Sequence, residues 1–189
     1  MTLKRAALAA CLAAPLLLGG CTAEKPEGAG VDASFAELMK RPDIEQAEAE
    51  YQGLLATIRE KLVTDIGIAA WVPSDDEPSA AGCGDKFPGL GADGQTRFYR
   101  SGKSPGNLPD ADWPRAVSLT AELARQHGFG EPAVNVDRPA DHEVILRHPN
   151  GAELIFGTAN NTTLALSTGC HLTAEAHKRG APAAEKPLY

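Results

Sequence analysis

The pattern that most restricts this chain lies in its last third. From Val134 to Thr168, short runs of alternating apolar and polar residues are cut repeatedly by turn signals. Val134 and Val136 alternate with polar neighbours. Glu143 to Arg147 and Ala152 to Gly157 are joined through Pro149-Asn150-Gly151, a hairpin signal of the Asn-Gly kind. Asn160-Asn161 then turns the chain into Thr162 to Thr168. Successive short strands with tight turns pair antiparallel, and such a sheet has one apolar face that must be covered. At 189 residues and 43% hydrophobic content, one domain with one core is the natural scale.

The cover is written upstream. Ser34-Phe35-Ala36-Glu37 matches a capping box and predicts a helix beginning at Ser34. Arg41-Pro42 interrupts it, because the residue before proline avoids the helical region. A longer helix restarts at Pro42-Asp43. Its apolar residues, from Ile44 and Tyr51 through Leu54, Leu55, Ile58 and Leu62 to Ile66, follow 3-and-4 spacing and form one stripe. Trp71-Val72-Pro73 reads as extended, Ser74 to Ala81 as a polar loop, and Gly82-Cys83-Gly84 and Thr96 to Arg100 as short strands. A third helix has Asp112 as N-cap and Pro114 in its first turn; Gly128 and Gly130 stop it. This order predicts an α+β fold: a single domain over 33–173, with an antiparallel sheet of about 4–6 strands and helices packed on one face.

The N-terminus is a different kind of segment. Lys4-Arg5 is followed by an apolar run, Ala6 to Leu18, then Gly19-Gly20 and Cys21. The run is too short to span a bilayer, which takes about 20 residues, and it has the three-part plan of a signal peptide over 1–20. Leu18-Gly19-Gly20-Cys21 resembles the lipobox of bacterial lipoproteins. In that class the Cys21 sulfur receives a diacylglyceryl group and becomes the mature N-terminus. Acyl chains would then be the membrane partner, since each buried CH₂ contributes about 0.8 kcal/mol and two chains hold where one barely does. The other reading is an ordinary export signal with a chance cysteine. Residues 21–32 are polar and rich in Pro, Gly and Ala, and are expected to form a flexible tether. Residues 174–189 have a similar composition and are expected to be a disordered tail.

Charge narrows the partners. The whole chain carries −7, and loss of Lys4 and Arg5 with the leader takes it to −9. No basic run appears, which argues against a nucleic-acid partner. Cys11 leaves with the leader and Cys21 is assigned to lipid. Cys83 and Cys170 remain as an even pair in an exported chain, most simply a disulfide. A redox-active pair is the alternative, without Cys-x-x-Cys spacing to support it.

Motifs with chemical overtones are weak. Gly102-Lys103-Ser104-Pro105-Gly106 fits the nucleophile-elbow pattern, but Pro105 to Pro109 cannot open the helix that the elbow requires, so a loop is expected. The same stretch fails as a phosphate loop, because Arg97 stands where glycine is required. In Asp141-His142-Glu143, strand alternation turns His142 away from both carboxylates, and an exposed hairpin edge is expected. The remaining histidines show no metal-ligand spacing, so no metal or cofactor is expected. Trp71 and Trp113 read as core or helix–sheet packing, with a shared ligand cleft as the functional alternative.

Taken together, "LMKRPDIEQA" (38–47), "GCG" (82–84), "PDADWPRA" (109–116), "DHEVILRHPNGAELIFGT" (141–158) and "TGC" (168–170), behind a lipobox, resemble the LppA-like lipoproteins of mycobacteria. The resemblance spans nearly the whole chain. It implies an exported, membrane-tethered α+β domain with a Cys83–Cys170 disulfide, on the outer leaflet of the cell membrane. It supplies no catalytic residues. The expected function is a non-enzymatic domain that binds an envelope ligand or protein. A lipid or glycolipid carrier is the alternative, and a small serine hydrolase using Ser104 with His142 or His148 is a third reading.

Overall fold

The computed structural model describes residues 27–184. The signal peptide, Cys21 and the last five residues lie outside that range. Helix α1 (Glu27–Leu38) is followed by α2 (Ile44–Lys61), which runs on through one π turn, Leu62–Ile66. Strands β1 (Ser79–Gly82) and β2 (Gly94–Pro105) precede helix α3 (Trp113–Arg125). Then come β3 (Ala133–Arg138), β4 (Asp141–Arg147), β5 (Glu153–Thr158), β6 (Asn161–Ser167), the short β7 (His171–Leu172) and helix α4 (Ala174–Arg179).

The fold is α+β, as the strand and helix patterns imply. All strand pairs are antiparallel, in the order β1-β2-β6-β5-β4-β3, with β7 added beside β2 as a seventh strand. The meander β3 to β6 is the one written in the last third. Register follows the alternation: Val144, Phe156 and Leu164 stand opposite one another in a row, as do Leu146, Leu154 and Leu166. All six are buried, while their neighbours along each strand, Gly157 apart, are half-buried or exposed. A one-residue slip would turn these six to the other face, so burial sets the register.

Helices α2 and α3 cover the buried face. Asp43 caps α2 by accepting from Gln46 N–H at 2.8 Å, and Tyr51, Leu54, Leu55 and Ile58 enter the core. Their packing partners include Tyr99, Leu154, Phe156 and Leu166. At about 25 cal/mol per Å², each fully buried leucine contributes on the order of 2 kcal/mol of transfer free energy. A second cluster lies at one end, where Phe35 and Leu38 of α1 meet Leu90, Leu172, Ala176 of α4 and the Cys83–Cys170 disulfide. Arg41, at the α1–α2 junction, donates to the carbonyls of Asn150 (2.8 Å) and Cys170 (3.0 Å).

Several local expectations are corrected. Helix α1 begins at Glu27, so Ser34 is inside it rather than its N-cap, and residues 27–32 are helix rather than tether. The reason is tertiary: Val31 and Phe35 pack into the second cluster, and Glu37 pairs with Lys40 and Arg41. At the other end, Thr173 caps α4 and Ala176 is fully buried, so residues 174–179 are folded rather than a disordered tail. Strand β1 takes Ser79 to Ala81 out of the expected loop, and Cys83-Gly84 fall just beyond it. Strand β2 runs on to Pro105, so the Gly-x-Ser-x-Gly stretch is mostly strand instead of loop.

Candidate functional site

The site is built where two hairpins end side by side. The β3–β4 turn places Ala140 at φ 58°, a left-handed conformation that non-glycine residues seldom adopt. Two side chains of the segment preceding α3 hold it there. Asp110 Oδ1 accepts from Ala140 N–H at 2.9 Å, and Asn107 Nδ2 donates to Ala140 O at 2.8 Å. Asn107 Nδ2 also donates to Ala159 O at 2.8 Å, so one amide bridges the β3–β4 and β5–β6 turns. Leu108 N–H donates to Thr158 Oγ1 at 2.8 Å, fixing the same segment to β5.

His142 lies under this bracket. It does face away from Asp141 and Glu143, as alternation requires, but it is buried at 7% exposure rather than sitting on an exposed edge. Its ring stacks on Trp113, with centroids 5.3 Å apart and planes 15° from parallel, and Trp113 in turn stacks on Phe156 at 4.9 Å. Carboxylates from outside the Asp-His-Glu triplet flank the ring. Nδ1 meets Asp137 Oδ1 at 2.9 Å and Nε2 meets Asp110 Oδ1 at 3.1 Å. The ring can donate to one of them as a neutral imidazole and to both as an imidazolium. The Ala140 N–H, and after it the His142 ring, hold the Asp110 carboxyl below the usual carboxylate range.

A groove of about 290 Å³ opens beside His142. Asp141, Glu143, Asn160, Asn161 and Thr163 line it, and Arg138 pairs with Asp141 at its margin. Its two carboxylates make it acceptor-rich, with amides and a hydroxyl that can both donate and accept.

The other residues singled out by sequence do not join this site. Trp71 Nε1–H donates to Ser101 O at 2.6 Å, whereas Trp113 stacks on His142 and Phe156, and neither lines the groove. Ser104 is buried at 1% exposure and its hydroxyl donates to Ala69 O at 2.7 Å. Both ring nitrogens of His142 face carboxylates, and His148 Nδ1 accepts from Asn150 N–H at 3.0 Å. No hydrogen bond joins Ser104 to either ring among the described residues. Gly102 serves strand packing instead: at φ 82°, a Cβ there would lie 2.1 Å from Val72 O. His171 and His177 bond to backbone carbonyls near Pro42 and Arg41. Among the described residues no group of histidine, cysteine and carboxylate side chains has metal-site geometry.

Asp110, Asn107 and Asp137 were missed by sequence reading. They are 32, 35 and 5 residues from His142: β3–β4 pairing brings Asp137 to it, and docking of the segment ahead of α3 on the hairpin ends brings Asp110 and Asn107. The short Asn-Leu-Pro-Asp run ahead of α3 was the available signal, because a polar segment that begins and ends on turn-forming side chains can clamp a neighbouring turn.

The profile of a family described as "Lipoprotein confined to pathogenic Mycobacterium", LppA, matches residues 20–174. The chain belongs to the LppA family. A solved structure that matches is the crystal structure of the lipoprotein LppA from Mycobacterium tuberculosis, with a TM-score of 0.62 and 17% identity. The match covers 81% of this chain and 90% of that one, and at this identity it shows the shared fold. A search of curated proteins returned no match. Membership makes the chain a cell-envelope lipoprotein anchored through lipid. Among the described residues no helix is long and apolar enough to cross a membrane.

Proposed function

We infer that this lipoprotein is a non-enzymatic binding domain, held on the outer leaflet of the cell membrane by acyl chains on Cys21, and that it recognises its envelope ligand in the groove beside His142. The observation that carries this reading is the bracket itself. A buried histidine stacked on a buried tryptophan, with a carboxylate on each ring nitrogen, fixes the hairpin end from the core side, while Asp141, Glu143 and Thr163 line the groove on the opposite face of the sheet. Rigid acceptors favour a ligand rich in donors, such as an amine or a polyol, because little side-chain freedom is lost on binding. Because His142 has both nitrogens engaged, it positions carboxylates rather than shuttling protons. The engagement of Ser104 with Ala69 weighs against a serine hydrolase. The space between helices and sheet is filled by side chains such as Leu54, Leu55 and Phe156, which weighs against a lipid carrier.

The test is a titration of the full chain with a panel of polyamines and neutral sugars, read by the backbone amide signals of Asn160 and Asn161, which line the groove. A saturable shift with at least one compound, weakened about tenfold by Asp141→Asn with Glu143→Gln, is expected. Asn160 and Asn161 signals that no compound moves would falsify the reading.

A further inference from the structure

A second cavity, of about 190 Å³, lies on the other side of the molecule between α2, the free side of β2 at Tyr99–Ser101, and the loop 73–78. In an acidic chain it is lined by two arginines, and neither Arg59 nor Arg100 has a carboxylate within 4 Å among the described residues. Arg59 is half-buried, and burial pulls its pKa down, as expected for a cation without a counter-charge. Its guanidinium uses one nitrogen: Nη1 donates to Ser101 Oγ at 2.7 Å and to Ser101 O at 3.4 Å. Nε and Nη2 bond to no protein atom and are not sealed from solvent, so their donors are available to the cavity. Two hydroxyls add to them. Ser101 Oγ accepts from Arg59 and keeps its own proton to give, and Ser74 Oγ accepts from Asp76 N–H at 3.1 Å and does likewise.

A guanidinium held half out of water without an anion is an unfavourable state, and planar N–H donors match the oxygens of a carboxylate or phosphate. We propose that this cavity is a binding site for a compact oxyanion, a phosphate or a carboxylate, gripped by Arg59 and Arg100 with the Ser74 and Ser101 hydroxyls. Asp76 is the one carboxylate of the lining, and it opposes the ligand. The site is separate from the His142 groove and of opposite electrostatic character.

The chain holds two tryptophans, and they report on different places. Trp71 shares the Ser101 carbonyl with Arg59, whereas Trp113 lies under His142. The full chain, solubilised in non-ionic detergent, is titrated separately with inorganic phosphate and with succinate. The Trp71 indole N–H signal should move and saturate while Trp113 stays still, and the probe that binds more tightly identifies the oxyanion. Arg100→Gln, an exposed change that leaves the core untouched, should weaken binding about tenfold, and Arg59→Gln at least as much. Asp76→Asn should tighten it. No saturable movement of Trp71 with either probe overturns the proposal, and so does binding that both arginine variants retain in full.

Discussion

At the scale of single residues, the chain uses its histidines as fasteners, and their states should register in stability. His148 packs edge-on against Phe129, with centroids 5.5 Å apart, and its Nδ1 accepts from the Asn150 amide. Burial lowers its pKa from an ordinary value of 6.5, with Glu50 pulling weakly the other way. A histidine whose folded pKa is depressed binds its proton less well when folded. Its contribution is therefore complete above pH 6.5 and is lost as pH falls toward the folded value. Thermal melts should show the melting temperature falling from pH 7 to about 5, with His148→Gln flattening that part of the curve. An unchanged slope in the variant would assign the effect elsewhere.

At the scale of elements, the disulfide joins what the meander alone does not hold. Cys83 follows β1 and Cys170 precedes β7, and around them α1 and α4 meet in the smaller hydrophobic cluster. Arg41 adds a polar tie from the α1–α2 junction to the Cys170 carbonyl. Closing a loop between residues 87 apart restricts the unfolded chain, and such bridges typically contribute about 2–4 kcal/mol. The double variant Cys83→Ser, Cys170→Ser should lose about that much in denaturant unfolding. Amide exchange should accelerate in α1, β7 and α4 before it does in β4 to β6. Uniform acceleration across the sheet would show that the bridge is global rather than local in its effect.

The anchor belongs to the scale of the whole molecule. Cys21 is expected to carry the acyl chains, and fractionation of cells expressing Cys21→Ala should find the protein released from the membrane. Retention of that variant would sink the assignment. Because α1 begins at Glu27, five residues separate Cys21 from it, a span of about 20 Å at most. A tether running to residue 32 would have reached about twice as far. With acyl chains on Cys21, the domain would sit close to the lipid surface.

Local pattern was a sufficient guide wherever one rule acted alone. The α2 stripe, the helix restart at Pro42-Asp43, the Asn-Gly hairpin and the strand alternation each depend on residues a few positions apart, and each appears where the sequence puts it. The cysteine pairing followed from count and compartment. Local rules lost wherever distant packing outweighed them. Val31 and Phe35 extend α1 past its capping signal, Ala176 folds the supposed tail, and pairing with β6 absorbs the Gly-x-Ser-x-Gly stretch into β2. Both candidate sites belong to this second kind. Asp110, Asp137 and His142 meet because the segment ahead of α3 docks on the β3–β4 hairpin, and Arg59 meets Arg100 because α2 crosses the free side of β2. By itself the sequence determined the α+β class, the α2 helix and the strand meander, since those rest on short-range periodicity. Which polar groups would be desolvated together was decided only by the tertiary structure, because burial is a property of the packed chain and not of any segment of it.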